Sequence, residues 1–352
     1  MSKMHSMLKA NFRIDLSAIP VMIVLTAFFT LQSCSGDSPY VKETFVMGTK
    51  ASVTIYGLGE SDAGRAASDA MGEMHRMENM MSVWKRDSEL SRLNRESMGK
   101  PLRVSEELSL LVEKAIDFCG STDGAFDITT GPLIELWGFR AGEPAIPDDG
   151  DIEKAAGKTG CHMVRVDSLT REITLEPGTE LDLSGIAKGY SVDRCAAVLR
   201  ELGIESALIN LGGNILAIGS PPGKEGWKIG IRDPLGSRNI VGTIVLRNAA
   251  VATSGNYENF LEVGDDRYGH IIDPRTGYPC GDVLSVTVMA PDAVSADALS
   301  TGLFVLGLQD ARTVLDRMPE IKAVIALPQD DGVTFVTIGD FGGDLSLQGS
   351  SE

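Results

Sequence analysis

Residues 207–219, ALINLGGNILAIG, hold short apolar runs broken by Gly212 and Gly213. The same rhythm continues in WKIGIRD (227–233), GTIVLRN (242–248) and AVATSG (250–255). Runs this short, rich in Ile and Val and punctuated by Gly, Pro and Asn, read as strands joined by turns. Further strands are expected over Thr44–Tyr56, Met163–Val166, Glu172–Leu175, Ala323–Ala326 and Val333–Ile338. Helical patterns cover Ser61–Met81, Glu106–Cys119 behind the cap Ser105, Asp151–Thr159, Tyr190–Leu202 before Gly203, and Gln309–Met318. Ile128–Arg140 reads as a loop or short helix. Strands come in runs and the helices are segregated from them. That pattern favours an α+β fold, with mixed or antiparallel sheets of short strands, over a doubly wound parallel sheet.

At 352 residues, 43% hydrophobic and 23% charged, the composition is that of a globular protein. The net charge of −17, with no dense Lys/Arg cluster, argues against nucleic-acid binding. An anionic ligand would need a local site of amides, a lysine or a metal. At the N-terminus Lys3, Lys9 and Arg13 precede an apolar run from Leu16 to Leu31, then Ser33 and Cys34. This is the layout of a secretory signal. Leu31-Gln32-Ser33-Cys34 resembles a bacterial lipobox, although Gln32 is not the usual small residue. The expected organisation is a lipoprotein signal peptide over 1–33, a linker over 34–43 after lipidated Cys34, a domain over 44–341 and a disordered tail over 342–352. An uncleaved anchor or a soluble secreted protein is the alternative. The lipoprotein reading places the body on the extracytoplasmic face of a bacterial membrane, in the periplasm, lipid-anchored. Cys119 and Cys195 lie in helical patterns and read as buried free thiols; a disulfide is possible, but its pairing is not legible. The methionines of Ser61–Met81 read as core filler.

Two segments pose chemical questions. In ADALSTGLFV (296–305) Leu299, Leu303 and the following Leu306 mark a buried helix, yet Asp297 and Thr301 sit four apart on one side of it. In one reading Asp297 lies in the first turn, after Ser295 as cap, and Thr301 bonds back to a carbonyl. In the other, the two oxygens hold a hard cation such as Mg²⁺. In DLSGIAKG (182–189) two glycines open a strand-to-helix turn, so backbone can approach a ligand. The helix start and Lys188 offer amides and positive charge to a phosphate.

Eight segments, in order, resemble the ApbE family of extracytoplasmic flavin transferases, the FAD:protein FMN transferases. They are MGT (47–49), SELSRLN (88–94), GAFDITTGPL (124–133), LDLSGIAKGYSVD (181–193), INLGGN (209–214), TSGNYENF (253–260), HIIDPRTG (270–277) and ADALSTGLFVLG (296–307). The resemblance implies an ApbE-like fold and the transfer of FMN from FAD to a Thr or Ser hydroxyl of a partner protein, with release of AMP and dependence on Mg²⁺. Asp297, Thr301 and the carbonyl of Gly185 match the metal ligands. Met47, Ala125, Phe126, Asp127, Asp182 and Lys188 match FAD-contacting positions. Trp84 stands where Tyr is usual, and Ile272 matches a contact after His270, with Ile271 the other choice. His270 is the candidate base for the acceptor hydroxyl, because imidazole titrates near neutral pH. Asp273 would orient it or cap its own turn. The implied acceptor is a subunit of a membrane redox complex, such as a sodium-pumping NADH:quinone reductase or an Rnf-type complex. Two other functions share these residues: an FAD pyrophosphatase giving free FMN and AMP, and a non-catalytic FAD-binding lipoprotein.

Overall fold

The computed structural model describes residues 38–140, 145–235, 239–255, 260–263, 266–330 and 332–348. The expected signal peptide and Cys34 lie outside these residues. Among the described residues no helix is long and apolar enough to cross a membrane.

The described residues open with a hairpin. β1 (Tyr40–Val46) and β2 (Thr49–Ile55) pair antiparallel, so the segment read as one strand is two. The break is at Met47 and Gly48, which both have positive φ, 51° and 71°. Three helices and a short strand follow: α1 (Glu60–Met81), α2 (Glu89–Glu96), β3 (Leu102–Arg103) and α3 (Glu106–Ser121). Ser105 caps α3 as expected, its side chain accepting from the Leu108 amide. Next come α4 (Gly131–Leu136), α5 (Asp149–Ala156), β4 (Val164–Asp167), β5 (Glu172–Leu175) and α6 (Ala187–Glu201). The remaining strands before the last long helix are β6 (Ala207–Leu211), β7 (Asn214–Ile218), β8 (Trp227–Arg232), β9 (Ile240–Leu246), β10 (Ala250–Gly255), β11 (Phe260–Val263), β12 (Asp266–Gly269) and β13 (Ser285–Ala290). α7 (Ala293–Leu315), β14 (Lys322–Gln329), β15 (Gly332–Ile338) and β16 (Leu345–Leu347) complete the described chain.

The α+β expectation is met. An eight-stranded sheet runs in the order β1-β2-β6-β7-β10-β13-β14-β15, each neighbouring pair antiparallel. α1, α6 and α7 cover one face. The strand period explains how the core divides. In β7, Leu216 and Ile218 join the helix-side core with Ala67, Leu199 and Leu303. Ile215 and Ala217 point the other way, against Trp227, Ile244 and Leu246 of the small sheet β16-β9-β8. With both faces covered, β7 is buried throughout, hence its apolar run from Ile215 to Ile218.

A second core lies beyond the sheet. The methionines Met77, Met80 and Met81 of α1 pack with Leu90 and Leu93 of α2, Leu108 and Leu111 of α3, and Ile173 of the sheet β3-β5-β4. They are core filler, as read. A further, smaller cluster surrounds buried Trp137 with Leu133, Ile152 and Ile272. The Trp137 indole N–H donates to the Gly277 carbonyl at 2.9 Å.

Several expectations are corrected. The tail expected to be disordered contains β16, paired with β9 because Leu345 and Leu347 reach the apolar side of that sheet. The linker expected through residue 43 is already strand from Tyr40. α7 is capped by Asp292, whose side chain accepts from the Ser295 amide, so Ser295 is not the cap. The further helix read over Gln309–Met318 is present: Gly307, where φ is 71° and ψ is −179°, breaks α7 into two helical segments. Cys119, read as a free thiol, forms a disulfide with Cys161, 42 residues on. Cys195 is free and buried, as read.

Candidate active site

α6 and α7 exchange carboxylates where they meet. From α7, Asp297 Oδ2 accepts the Gly189 amide of the first α6 turn at 2.8 Å. From α6, Asp193 accepts the Ala293 and Val294 amides that open α7, both at 2.8 Å. Each acid sits at the positive end of the other helix, where the dipole favours it. Gly189 is required here: a Cβ would stand 2.2 Å from the Ala293 carbonyl oxygen. The result corrects one expectation. Amides at the α6 start, read as a phosphate cradle, are already bonded to Asp297.

Above this crossing a cleft of about 450 Å³ opens. Asp297, Thr301 and Gly185 form part of its floor, with Lys188 beside them. Asp297 is 5% exposed, and burial pushes its carboxyl upward, opposed by the Lys188 charge and by bonds from Gly189, Asn214 and Lys188. Thr301 Oγ1 lies 3.2 Å from Ser254 Oγ and 3.4 Å from the Asp297 carbonyl, so the back-bond of the structural reading exists, though long. Gly185 is adjacent; a Cβ there would meet Thr301 Oγ1 at 3.5 Å and Phe126 Cε2 at 3.2 Å. Lys188 Nζ donates to the Ser184 carbonyl at 3.2 Å.

One wall comes from the turn after α3. Ala125, Phe126 and Asp127 all face the cleft. Asp127 Oδ1 accepts from the Thr129 amide at 2.7 Å and hydroxyl at 2.6 Å, and burial pushes its carboxyl upward. The Cys119–Cys161 disulfide stands behind it, with Cys119 Sγ 3.7 Å from Asp127 Oδ2. Asp182 Oδ1 accepts the Ser184 amide at 2.9 Å, while Oδ2 pairs with Arg140 Nη2 at 3.0 Å.

Met47, Trp84, His270 and Ile272 also line the cleft. Met47 is held in its positive-φ conformation by its amide bond to Glu78 Oε1 at 2.7 Å. Trp84 is 67% exposed, which leaves a face free for a flat ring. From Trp84 an apolar lobe of about 530 Å³ extends the cleft past Met81, Val83 and Leu183. His270 follows β12 and is half-buried at the rim. Ile271 and Ile272 both reach the cleft, so the sequence ambiguity between them does not resolve to one residue. Both Asp273 oxygens bind the Arg275 guanidinium, at 2.9 and 2.8 Å, so Asp273 braces its own turn.

All twelve residues proposed from sequence for metal, flavin and base thus line one cleft. Residues that the sequence reading missed join them. Asn214, Thr130, Ser184, Thr253 and Ser254 also line it. Asn214 closes the INLGGN segment, which was noted as a landmark without a role; that position was the available signal.

The pattern of the ApbE family matches residues 47–325. The chain belongs to the ApbE family. The relative named FAD:protein FMN transferase from Salmonella typhimurium is 33% identical over 310 residues, covering 84% of this chain and 89% of that protein. One of the same name from Haemophilus influenzae is 36% identical over 268 residues, covering 73% and 76%. The crystal structure of the ApbE protein from Thermotoga maritima superposes with a TM-score of 0.79 at 34% identity, covering 85% of this chain and 96% of that one. The flavin transferase ApbE from Vibrio cholerae superposes with a TM-score of 0.77 at 31% identity, covering 86% and 99%. The matched span includes every residue that lines the cleft.

Proposed function

We propose that this ApbE-family transferase moves FMN from FAD to a Thr or Ser hydroxyl of an acceptor protein and releases AMP. The observation that carries the reading is the cleft floor, where a buried carboxylate, a hydroxyl and a lysine converge in an otherwise strongly acidic protein. Asp297 and Thr301 supply hard oxygen donors of the type Mg²⁺ takes, and Gly185 brings backbone beside them. The residues fit the ion: burial opposes the Asp297 charge, and a cation would stabilise it. Mg²⁺ bound there supplies charge neutralisation on the pyrophosphate, the main requirement of phosphoryl transfer.

The chain's own groups account for the rest. Lys188 contributes a second positive charge at the phosphates. Trp84 and Met47 bound the flavin side. The acceptor oxygen bonds to the FMN phosphorus, the bond from that phosphorus to the bridging oxygen breaks, and AMP leaves. His270 takes the acceptor's proton as base. The apolar lobe beside Trp84 gives the cleft the extra length a dinucleotide needs.

Localisation and partner belong to the same proposal. Secretion through the N-terminal segment and lipidation at Cys34 would place the body in the periplasm on a membrane, and the Cys119–Cys161 disulfide suits such an oxidising compartment. A flavin-carrying subunit of a membrane redox complex, of the sodium-pumping NADH:quinone reductase or Rnf type, is then within reach. Stripping the enzyme with EDTA tests the metal requirement: transfer should stop and return on adding Mg²⁺. Transfer that continues at full rate in excess EDTA contradicts it. Substituting Cys34→Ser should abolish labelling by a radioactive fatty acid, and equal label in both proteins contradicts the anchor.

A further inference from the structure

Asn214 is placed with little freedom. It opens β7 after the two-residue turn Gly212–Gly213 and pairs with Leu211 across the hairpin. Both glycines have positive φ, 58° and 92°, as a tight hairpin turn requires. Asn210 Oδ1 accepts the Gly213 amide at 3.0 Å and braces the turn. The Asn214 side chain reaches the cleft floor beside Asp297 at 4% exposure.

The buried Asn214 Oδ1 has no hydrogen-bond partner among the described residues. The NH₂ end of the carboxamide is the one suited to the carboxylate oxygens of Asp297 beside it. A buried acceptor left unpaired costs about 1–3 kcal/mol and calls for a counterpart. That counterpart is not a phosphate, since phosphate oxygens are acceptors too. Lys188, the neighbouring cation, donates to the Ser184 carbonyl at 3.2 Å and not to Asn214 Oδ1.

We infer that Asn214 Oδ1 supplies a further, neutral oxygen to the divalent cation held by Asp297 and Thr301. The inference rests on the Mg²⁺-dependent FAD reading above. Carboxamide oxygens are ordinary ligands for hard cations. A neutral one adds coordination without adding to the repulsion between Asp297 and a pyrophosphate. The same side chain would hold Asp297 with one end and the ion with the other.

The test is a Mg²⁺ titration of the protein with FAD, read as flavin fluorescence at equilibrium, so it needs no turnover. Asn214→Leu keeps the volume and removes the oxygen. Its Mg²⁺ constant should rise about tenfold or more, with FAD affinity in EDTA unchanged. Asn214→Cys separates a ligand from a mere partner of Asp297: Mg²⁺ should weaken while Cd²⁺ binds more tightly than to the parent, because thiolate prefers soft ions. The cysteine variant also carries the test should the leucine variant not fold. Parental Mg²⁺ constants in both variants overturn the inference. So does weakened Mg²⁺ without a gain for Cd²⁺, which would leave Asn214 acting only through Asp297. So does a loss of FAD affinity in EDTA at an unchanged Mg²⁺ constant, which would set the oxygen against a donor on FAD. A parent whose FAD binding ignores Mg²⁺ takes down the functional reading as well.

Discussion

Asp297 on α7 and the Gly189 amide on α6 are 2.8 Å apart, joined across 108 residues of sequence. The bond ties a helix carrying the candidate metal oxygens to the turn carrying Gly185 and Lys188. It also explains why an acid tolerates the floor of a buried helix face: the α6 dipole, backbone amides and a lysine offset part of its desolvation.

Replacing Asp297 with Ala should weaken Mg²⁺ binding and reduce transfer by at least about 10²-fold, an electrostatic contribution of the size seen for single groups at phosphoryl and acyl centres. Thr301→Val should show a milder loss, because water replaces one neutral ligand. Steady-state rates across a Mg²⁺ series check both. An Asp297→Ala enzyme with parental rate removes the metal assignment.

For His270→Asn, FAD and Mg²⁺ should still bind while the saturated rate falls about 10²–10⁴-fold. The parental rate should drop as acidification protonates the imidazole, since His⁺ cannot accept the acceptor's proton. Rate and FAD affinity measured on one preparation decide the matter. Weakened affinity with an intact saturated rate would make His270 a brace for the turn into Asp273.

Asp193 gives a stability signature. Burial, with Asp292 adding to it and Lys114 and the two amides opposing it, pushes its carboxyl up to about 6. Between about pH 4 and 6 the folded chain holds a proton there that the unfolded chain has released. This group therefore makes stability fall with rising pH through that window, by up to about 1.4 kcal/mol per pH unit. Below the window its penalty is absent; above it the penalty is complete. Urea unfolding of the parent and Asp193→Asn at pH 4, 5, 6 and 7 should show this slope in the parent only. Equal slopes in both proteins refute the assignment.

Reduction of Cys119–Cys161, or the pair Cys119→Ser and Cys161→Ser, should cost roughly 2–4 kcal/mol by freeing a closed loop in the unfolded chain. Because the bridge backs Asp127, FAD affinity should fall as well. Thermal unfolding and FAD titration with and without reductant measure the two effects. No change in either would leave the bridge without a structural role.

Much of the fold was legible because it follows from period. The alternation of β6, the doubly buried run of β7 and the heavy apolar stripe of α1 each carry their environment in their spacing. Long-range events were not legible. Nothing local says that Met47 and Gly48 turn back on themselves; the turn is held by Glu78, 31 residues away. The α7 cap was misplaced because Asp292 and Ser295 both suit it, and only tertiary structure chooses. Pairing Cys119 with Cys161 needed the end of α3 and the turn before β4 to be adjacent. Family resemblance, rather than spacing, grouped the candidate site residues. It passed over Asn214, whose significance is an unpaired atom that only coordinates reveal.

The most direct test of the account incubates the purified protein with FAD, Mg²⁺ and the flavin-carrying subunit of a sodium-pumping NADH:quinone reductase or Rnf-type complex. Products are resolved on a denaturing gel under ultraviolet light, with AMP and FMN quantified in the filtrate. The account predicts a fluorescent acceptor band and AMP released in equal amount to the flavin bound, both lost when the acceptor Thr or Ser is removed. Free FMN and AMP with no fluorescent band, or intact FAD throughout, would contradict it.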